Sequence, residues 1–246
     1  MGEKNNIKLD KRKYRCLIHL DRLSLTLNHH SGSEFKNIRN PDLIPEEQRF
    51  ENVLLIYNRF KGNNDYFHCY GIYYKGVFVG NLYSGRRGKK YELQLDFDKQ
   101  LFYSYSFTYW HDVYQAILSE LGLTYNNIRY LEISIDTNKD ILGQFRYLFI
   151  YCENNEMTSH DRFKLRKGTI VHTLNNGHSF LVAGTDNEIA IYRKSDYMED
   201  FIAKYFKNNG LGDMPVYRIE SRLNWDYLRK KKNKKNLDIK PETLLD

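Results

Sequence analysis

Three short runs of the chain put polar side chains at every second position. In Tyr130–Asp136 (YLEISID), Glu132, Ser134 and Asp136 oppose Leu131, Ile133 and Ile135. In Glu188–Arg193 (EIAIYR), Ile189 and Ile191 face one way, which puts Tyr192 and the following Lys194 on the polar side; in Val216–Leu223, Arg218, Glu220 and Arg222 oppose Tyr217, Ile219 and Leu223. A period of two is the strand period, so each run gathers its polar groups on one face. Carboxylates on neighbouring strands can converge on a hard divalent cation, which prefers oxygen ligands. A tyrosine beside such a cation can attack phosphorus, with Lys194, Arg218 and Arg222 neutralising the non-bridging oxygens. The same alternation also describes any strand with one solvated face. Glu220 between two arginines equally describes a surface ion-pair ladder of little energetic worth.

Eight histidines are spread along the chain. None of the eight (His19, His29, His30, His68, His111, His160, His172, His178) stands in a His-x-His pair. The three cysteines, Cys16, Cys69 and Cys152, are odd in number and form no CxxC, which suggests neither a disulfide framework nor a thiolate zinc site. No GxxxxGK[ST], GxGxxG after a strand, GxSxG or HExxH occurs, which argues against ATPase, helicase and the common hydrolase classes.

The 246 residues carry a formal charge of +7, with 41% hydrophobic and 15% aromatic content including 21 Tyr. That length and composition suit a folded protein with a substantial core. The charge is uneven: from Arg229 onward there are seven Lys and Arg against three acids, net +4, which leaves +3 for the 228 residues before them. Arg229, Lys230, Lys231, Lys232, Lys234 and Lys235 read as a phosphate-facing tail, because each neutralised phosphate releases a counterion. A solvated terminus fits the same run. A second basic group, Arg86, Arg87, Lys89 and Lys90, falls in a Gly-bounded loop. With a charged N-terminus and no long apolar run, a cytoplasmic protein without membrane contact is expected.

Several elements must position these groups. The pattern divides the chain into a polar lead-in (1–16), a domain (17–228) and the basic tail (229–246). Residues 17–27 alternate as a strand. A Pro-containing loop follows, then short strands over 53–57, 67–74, 77–83 and 90–97, with Lys75-Gly76 as a hairpin turn. Val113, Ile117 and Leu121, joined by Tyr114 and Leu118, mark a helix from Trp110 to Leu121 ending at Gly122. A second helix is expected over Asp140–Tyr151, a hairpin around Asn175-Asn176-Gly177, and a third helix from about Asp196 to Asn208 with Ser195 as N-cap and Gly210 as stop. This order predicts an α+β fold with a mostly antiparallel sheet and helices packed on one face.

The order of IHLDRLSLTL, RYLEISID, AGTDNEIAIYRKS and VYRIESRLNW resembles the replication initiation factor family, the trans-acting Rep initiators of rolling-circle plasmids and related phages. The resemblance spans roughly residues 17–228 and implies a Rep nuclease-like fold. It implies nicking of origin DNA, single-stranded or as a hairpin, by a tyrosine that stays joined to the 5′ phosphate and leaves a 3′-OH primer. Position by position, it implies Tyr192 as nucleophile with Tyr197 as rival. It implies Glu132, Glu220 and Asp21 as ligands of magnesium or manganese, with Asp136 either a further ligand or a turn anchor. His19, two residues before Asp21, can join that shell or serve as a structural histidine. Arg193 follows Tyr192 where the family carries an acid. Host helicase and polymerase, and possible homodimers, complete the implied partners. The alternative class is a non-catalytic DNA-binding regulator of a plasmid or phage.

Overall fold

The computed structural model describes residues 14–29, 35, 44–58, 66–85, 92–143, 170–174, 179–183, 187–212, 214–235 and 240–241. The chain divides into two compact units. One comprises Met1–His19 and Ser134–Ser221; the other, larger, comprises Leu20–Ile133 and Arg222–Asp246.

In the larger unit the strands run in the order β2 (Glu47–Arg49), β3 (Val53–Tyr57), β4 (His68–Tyr74), β5 (Val77–Ser84), β6 (Glu92–Phe97), β1 (Cys16–His29), β7 (Leu123–Thr137). The pairs from β2 through β6 to β1 are antiparallel, with Leu82 and Leu25 both opposite Leu95, and Leu27 opposite Leu93. Lys75 and Gly76 turn the β4–β5 hairpin with φ of 48° and 81°, the left-handed pair that suits a two-residue turn between twisted strands. Helices α1 (Lys99–Ser104) and α2 (Phe107–Leu121) follow β6. Trp110, Val113, Tyr114, Ile117 and Leu121 of α2 join Leu23, Leu25, Leu27, Leu55, Ile72, Leu82, Leu93 and Leu95 in one apolar core. At about 1.5–3 kcal/mol per large buried side chain, this cluster is the main source of the unit's stability.

Helix α2 begins three residues earlier than its apolar stripe predicts, because the Ser106 hydroxyl accepts the Tyr109 N–H at 3.2 Å and caps the first turn. It stops as predicted at Gly122, whose φ of 61° is left-handed. Glu120 near its end accepts the Asn52 N–H at 2.8 Å, the Asn52 side-chain amide at 2.8 Å and the Val53 N–H at 3.1 Å, which pins the helix to the entry of β3.

The smaller unit takes the order β7, β11 (Tyr217–Asn224), β10 (Asn187–Arg193), β9 (Ser179–Ala183), β8 (Ile170–Leu174), with β10–β9 and β9–β8 antiparallel. A short 3-10 turn, Lys194–Tyr197, leads to α3 (Asp200–Asn208). The expected N-cap, Ser195, is displaced by Glu199. Ser195 Oγ is engaged elsewhere, accepting from the Val216 N–H at 3.4 Å and the Arg193 Nε–H at 3.2 Å. Past the helix, Gly210 takes a φ of 77°, and a Cβ there would strike the Arg15 guanidinium that donates to the Asn209 carbonyl at 3.2 Å.

The α+β class and the mostly antiparallel sheet are as expected. Helix α1 and the short strand β2 are additional, and β7 starts at Leu123, well before its alternating portion. The expected tail is helical from its start, as α4 (Trp225–Lys235). The helix expected over Asp140–Tyr151, beyond Gly143, and the Asn175–Gly177 turn lie outside the described residues.

Candidate active site

The polar faces of the two central strands point inward. On the smaller unit's part of β7, Ser134 and Asp136 are fully buried while Ile135 is half-buried. On β11, Arg218 and Glu220 are buried while Tyr217 and Ile219 are half-buried. The apolar residues across the strands form a small cluster of Ile141 and Ile191 with Leu142, Ile189, Tyr217 and Ile219. The alternation in the sequence therefore marks a buried ionic layer rather than a wet face.

That layer is a chain of paired groups. Arg218 forks onto Asp136, Nε to Oδ1 and Nη2 to Oδ2, both at 2.8 Å. Such bidentate geometry is the strongest form of ion pair a guanidinium makes, and full burial makes each partner depend on the other. His19 Nε2 lies 3.1 Å from Asp136 Oδ2 and 3.2 Å from Arg218 Nη2. On the other side, Arg218 Nη1 lies 3.7 Å from Glu220 Oε2. The same Glu220 oxygen accepts a hydrogen bond from the Tyr192 hydroxyl at 2.9 Å. Lys194, itself buried, carries its ammonium 5.8 Å from the centre of the Tyr192 ring, and its backbone N–H donates to the Val216 carbonyl at 2.8 Å.

Helix α3 covers this layer. Ile202 and Phe206 are buried, and Tyr205 meets His19 edge-on with ring centres 5.4 Å apart. Burial pushes the Tyr205 phenol up, the Asp136 carboxylate adds to the rise, and Arg218 opposes it. The structure thus brings Tyr192, Lys194, Glu220, Arg218 and Asp136 together, with His19 as a structural partner of Asp136. Arg218, expected to face DNA phosphate, is instead fully buried against an internal carboxylate. Arg193 is paired with Asp196 at 3.3 Å.

In the larger unit, Glu132 Oε1 accepts from the Tyr130 hydroxyl at 2.7 Å and meets Arg222 Nε at 3.3 Å. Arg22 lies over the Tyr130 ring at 5.0 Å. Burial raises the Tyr130 phenol far above its usual range, Glu132 raises it further, and the two arginines oppose the shift. Asp21 accepts a hydrogen bond from the buried Tyr103 hydroxyl on α1. Tyr130 and Tyr103 are partners that sequence reasoning missed. Tyr130 was legible, standing two residues from Glu132 on one strand. Tyr103 was not, because its helix carries no periodic signal.

Every acid expected to hold a cation, Asp21, Glu132, Asp136 and Glu220, already accepts from a tyrosine or an arginine. Among the described residues no group of three or more His, Cys, Asp and Glu side chains is gathered to hold a metal ion. The oxygen chemistry suits magnesium or manganese, but these residues as they stand do not make a complete site. Of the expected DNA contacts, Arg86, Arg87, Lys89 and Lys90 lie outside the described residues, as do the side chains of Lys231, Lys232, Lys234 and Lys235; so does the side chain of Tyr197, the rival nucleophile. Arg229 and Lys230 are exposed on α4, Arg229 paired with Asp226 at 3.2 Å. Among the described residues no helix is long and apolar enough to cross a membrane.

A solved structure of a rolling circle replication initiator protein from Geobacillus stearothermophilus is similar to this chain. The two align over 89% of this chain and 78% of the other, at 17% identity and a TM-score of 0.45. No family model and no curated protein matches.

Proposed function

We propose that the chain initiates rolling-circle replication as a DNA strand transferase with Tyr192 as its nucleophile. The observation that carries this reading is the Tyr192 hydroxyl, half-buried on β10 and hydrogen-bonded at 2.9 Å to a glutamate that a buried arginine flanks. The motif order that resembles the replication initiation factors supports it. In the proposed step, Tyr192 Oη bonds to an origin phosphorus and the P–O3′ bond breaks. The phosphate stays on the tyrosine at the 5′ side, and the 3′ oxygen takes a proton and becomes a primer end. Lys194 neutralises a non-bridging oxygen as charge develops. Keeping the phosphoester energy in the tyrosine linkage permits later rejoining without ATP.

Magnesium or manganese is proposed as an assisting cation, while bond making and charge neutralisation fall to Tyr192 and Lys194. Origin DNA, a host helicase and polymerase, and a second copy of the chain are the proposed partners, in the cytoplasm. The test is incubation with supercoiled origin plasmid and magnesium, followed by a search for a protein–DNA adduct that survives denaturation. Wild type forms it and Tyr192→Phe does not, while both bind the DNA alike. An adduct that persists in Tyr192→Phe refutes the assignment.

The internal pairing of all four acids favours one second reading, a DNA-binding regulator of a plasmid or phage without catalysis. It gives salt-sensitive binding and no adduct in wild type.

A further inference from the structure

Glu220 is expected from the sequence as a cation ligand, yet its surroundings describe a different task. Its Oε2 accepts the Tyr192 O–H at 2.9 Å and lies 3.7 Å from Arg218 Nη1, and the carboxylate is buried. No group of three ligating side chains is gathered around it among the described residues. A phenol that attacks phosphorus must shed its proton as the P–O bond forms, and an oxygen within hydrogen-bond reach of that proton is the geometric requirement for a general base.

Resting on Tyr192 as nucleophile, we propose that Glu220 is the base that takes its proton, and that the Asp136–Arg218 fork is the positioning device that aims the receiving oxygen. The step balances: the O–H bond of Tyr192 breaks, its proton passes to Glu220 Oε2, and the freed oxygen pair forms the bond to phosphorus as the P–O3′ pair leaves with a proton from solvent. Arg218 makes two 2.8 Å bonds to Asp136, which fix the plane of the guanidinium and hence the place of Nη1 beside Glu220. Tyr192 and Glu220 sit on separate strands 28 positions apart, so nothing local in the chain sets their distance. The pairing of β10 with β11 brings the two side chains together, and the fork sets the guanidinium beside the receiving oxygen.

The experiment measures the rate of adduct formation on origin DNA at saturating protein, together with manganese affinity from the loss of the free-ion electron paramagnetic resonance signal. Glu220→Gln keeps an oxygen to accept the phenol but removes the basicity; adduct formation is expected to fall roughly 100-fold or more, with manganese affinity and DNA affinity within threefold of wild type. A wild-type rate in Glu220→Gln overturns the proposal. So does a manganese affinity weakened more than threefold with the rate restored by excess manganese, the behaviour of a lost ligand. Should Glu220→Gln fail to fold, Glu220→Asp retains the charge and withdraws the oxygen by one methylene, and the same two readouts decide. For the fork, Asp136→Asn is expected to lower the maximal rate at least tenfold while leaving the DNA concentration for half-maximal rate unchanged; equal changes in both, or none, remove the positioning role. Tyr192→Phe is run alongside. If it still forms adduct, the nucleophile itself is wrong; if it does not, the result on Glu220 stands alone.

Discussion

Arg218 and Asp136, 82 positions apart in the chain and both fully buried, meet through two bonds of 2.8 Å. Neither charge has water to fall back on, so each is tolerable only in the presence of the other. Asp136→Ala is expected to destabilise the protein by about 3–5 kcal/mol, read as a shift of the urea midpoint, since it leaves an uncompensated guanidinium. The double variant Asp136→Leu with Arg218→Met is expected to recover most of that loss. A double variant less stable than either single one would show that the fork is not the interaction being removed.

Glu120 takes three hydrogen bonds from Asn52 and Val53, joining the end of α2 to the start of β3. Glu120→Ala abandons two backbone N–H groups as well as a side-chain amide. A loss of about 2–4 kcal/mol follows at 1–3 kcal/mol per stranded buried group, lessened by partial exposure. Hydrogen exchange should show faster opening at Asn52 and Val53 before any effect reaches β5 or β6.

Burial, the first cause in each case, raises the Tyr70 and Tyr83 phenols to about 12 from an ordinary value of 10.0. The Ser84 hydrogen bond partly offsets the rise at Tyr70, and Cys69 and Asp96 add to it at Tyr83. An unfolded chain releases these protons near pH 10 and the folded one near 12, so the unfolded state is increasingly favoured across that interval. Stability is expected to hold up to about pH 10 and decline from there to about 12. Absorbance at 295 nm, followed with and without denaturant, checks it: Tyr70 and Tyr83, together with Tyr109, Tyr130, Tyr205 and Tyr217, whose phenols burial also raises, should ionise later in the folded protein than in the unfolded one.

Arg229 and Lys230 are exposed on α4. If these two side chains meet DNA phosphates as proposed, replacing both by alanine should weaken binding of unrelated sequences equally. The slope of log affinity against log salt should then fall by about one for each phosphate left without its cation. An unchanged slope would place the phosphate-binding surface elsewhere.

What the sequence shows, and what it hides, follows from the physics of each signal. The fourfold spacing of Val113, Ile117 and Leu121, with Gly122 after them, marks α2 because a helix buries one stripe and must stop on a residue that tolerates positive φ. Lys75-Gly76 is equally plain. Period two identifies which residues of β7 and β11 share a face, but it carries no information on which face turns inward, and here the polar one does. That choice goes with α3, a distant element whose Tyr205 packs edge-on against His19 of the layer. Tyr192 and Glu220 were both legible as candidates; their hydrogen bond was not, because strand register joins residues that no local pattern links. Ser195 looks like a helix cap and is held by Val216 instead. The lysine run looks like a tail, because charge density hides the capping potential of Asn224 before it.

Asn224 also sets the direction of the basic helix. Strand β11 ends at Asn224 and α4 begins at Trp225 with no intervening loop; Asn224 Oδ1 accepts the Tyr227 N–H at 3.0 Å. The basic stretch is therefore geared to the sheet like a key on its shaft, about 16 Å of rod whose angular setting is inherited from the strand. One residue inserted at that junction would turn the exposed Arg229 and Lys230 through about 100°, and a phosphate meant to meet them would find another side of the rod.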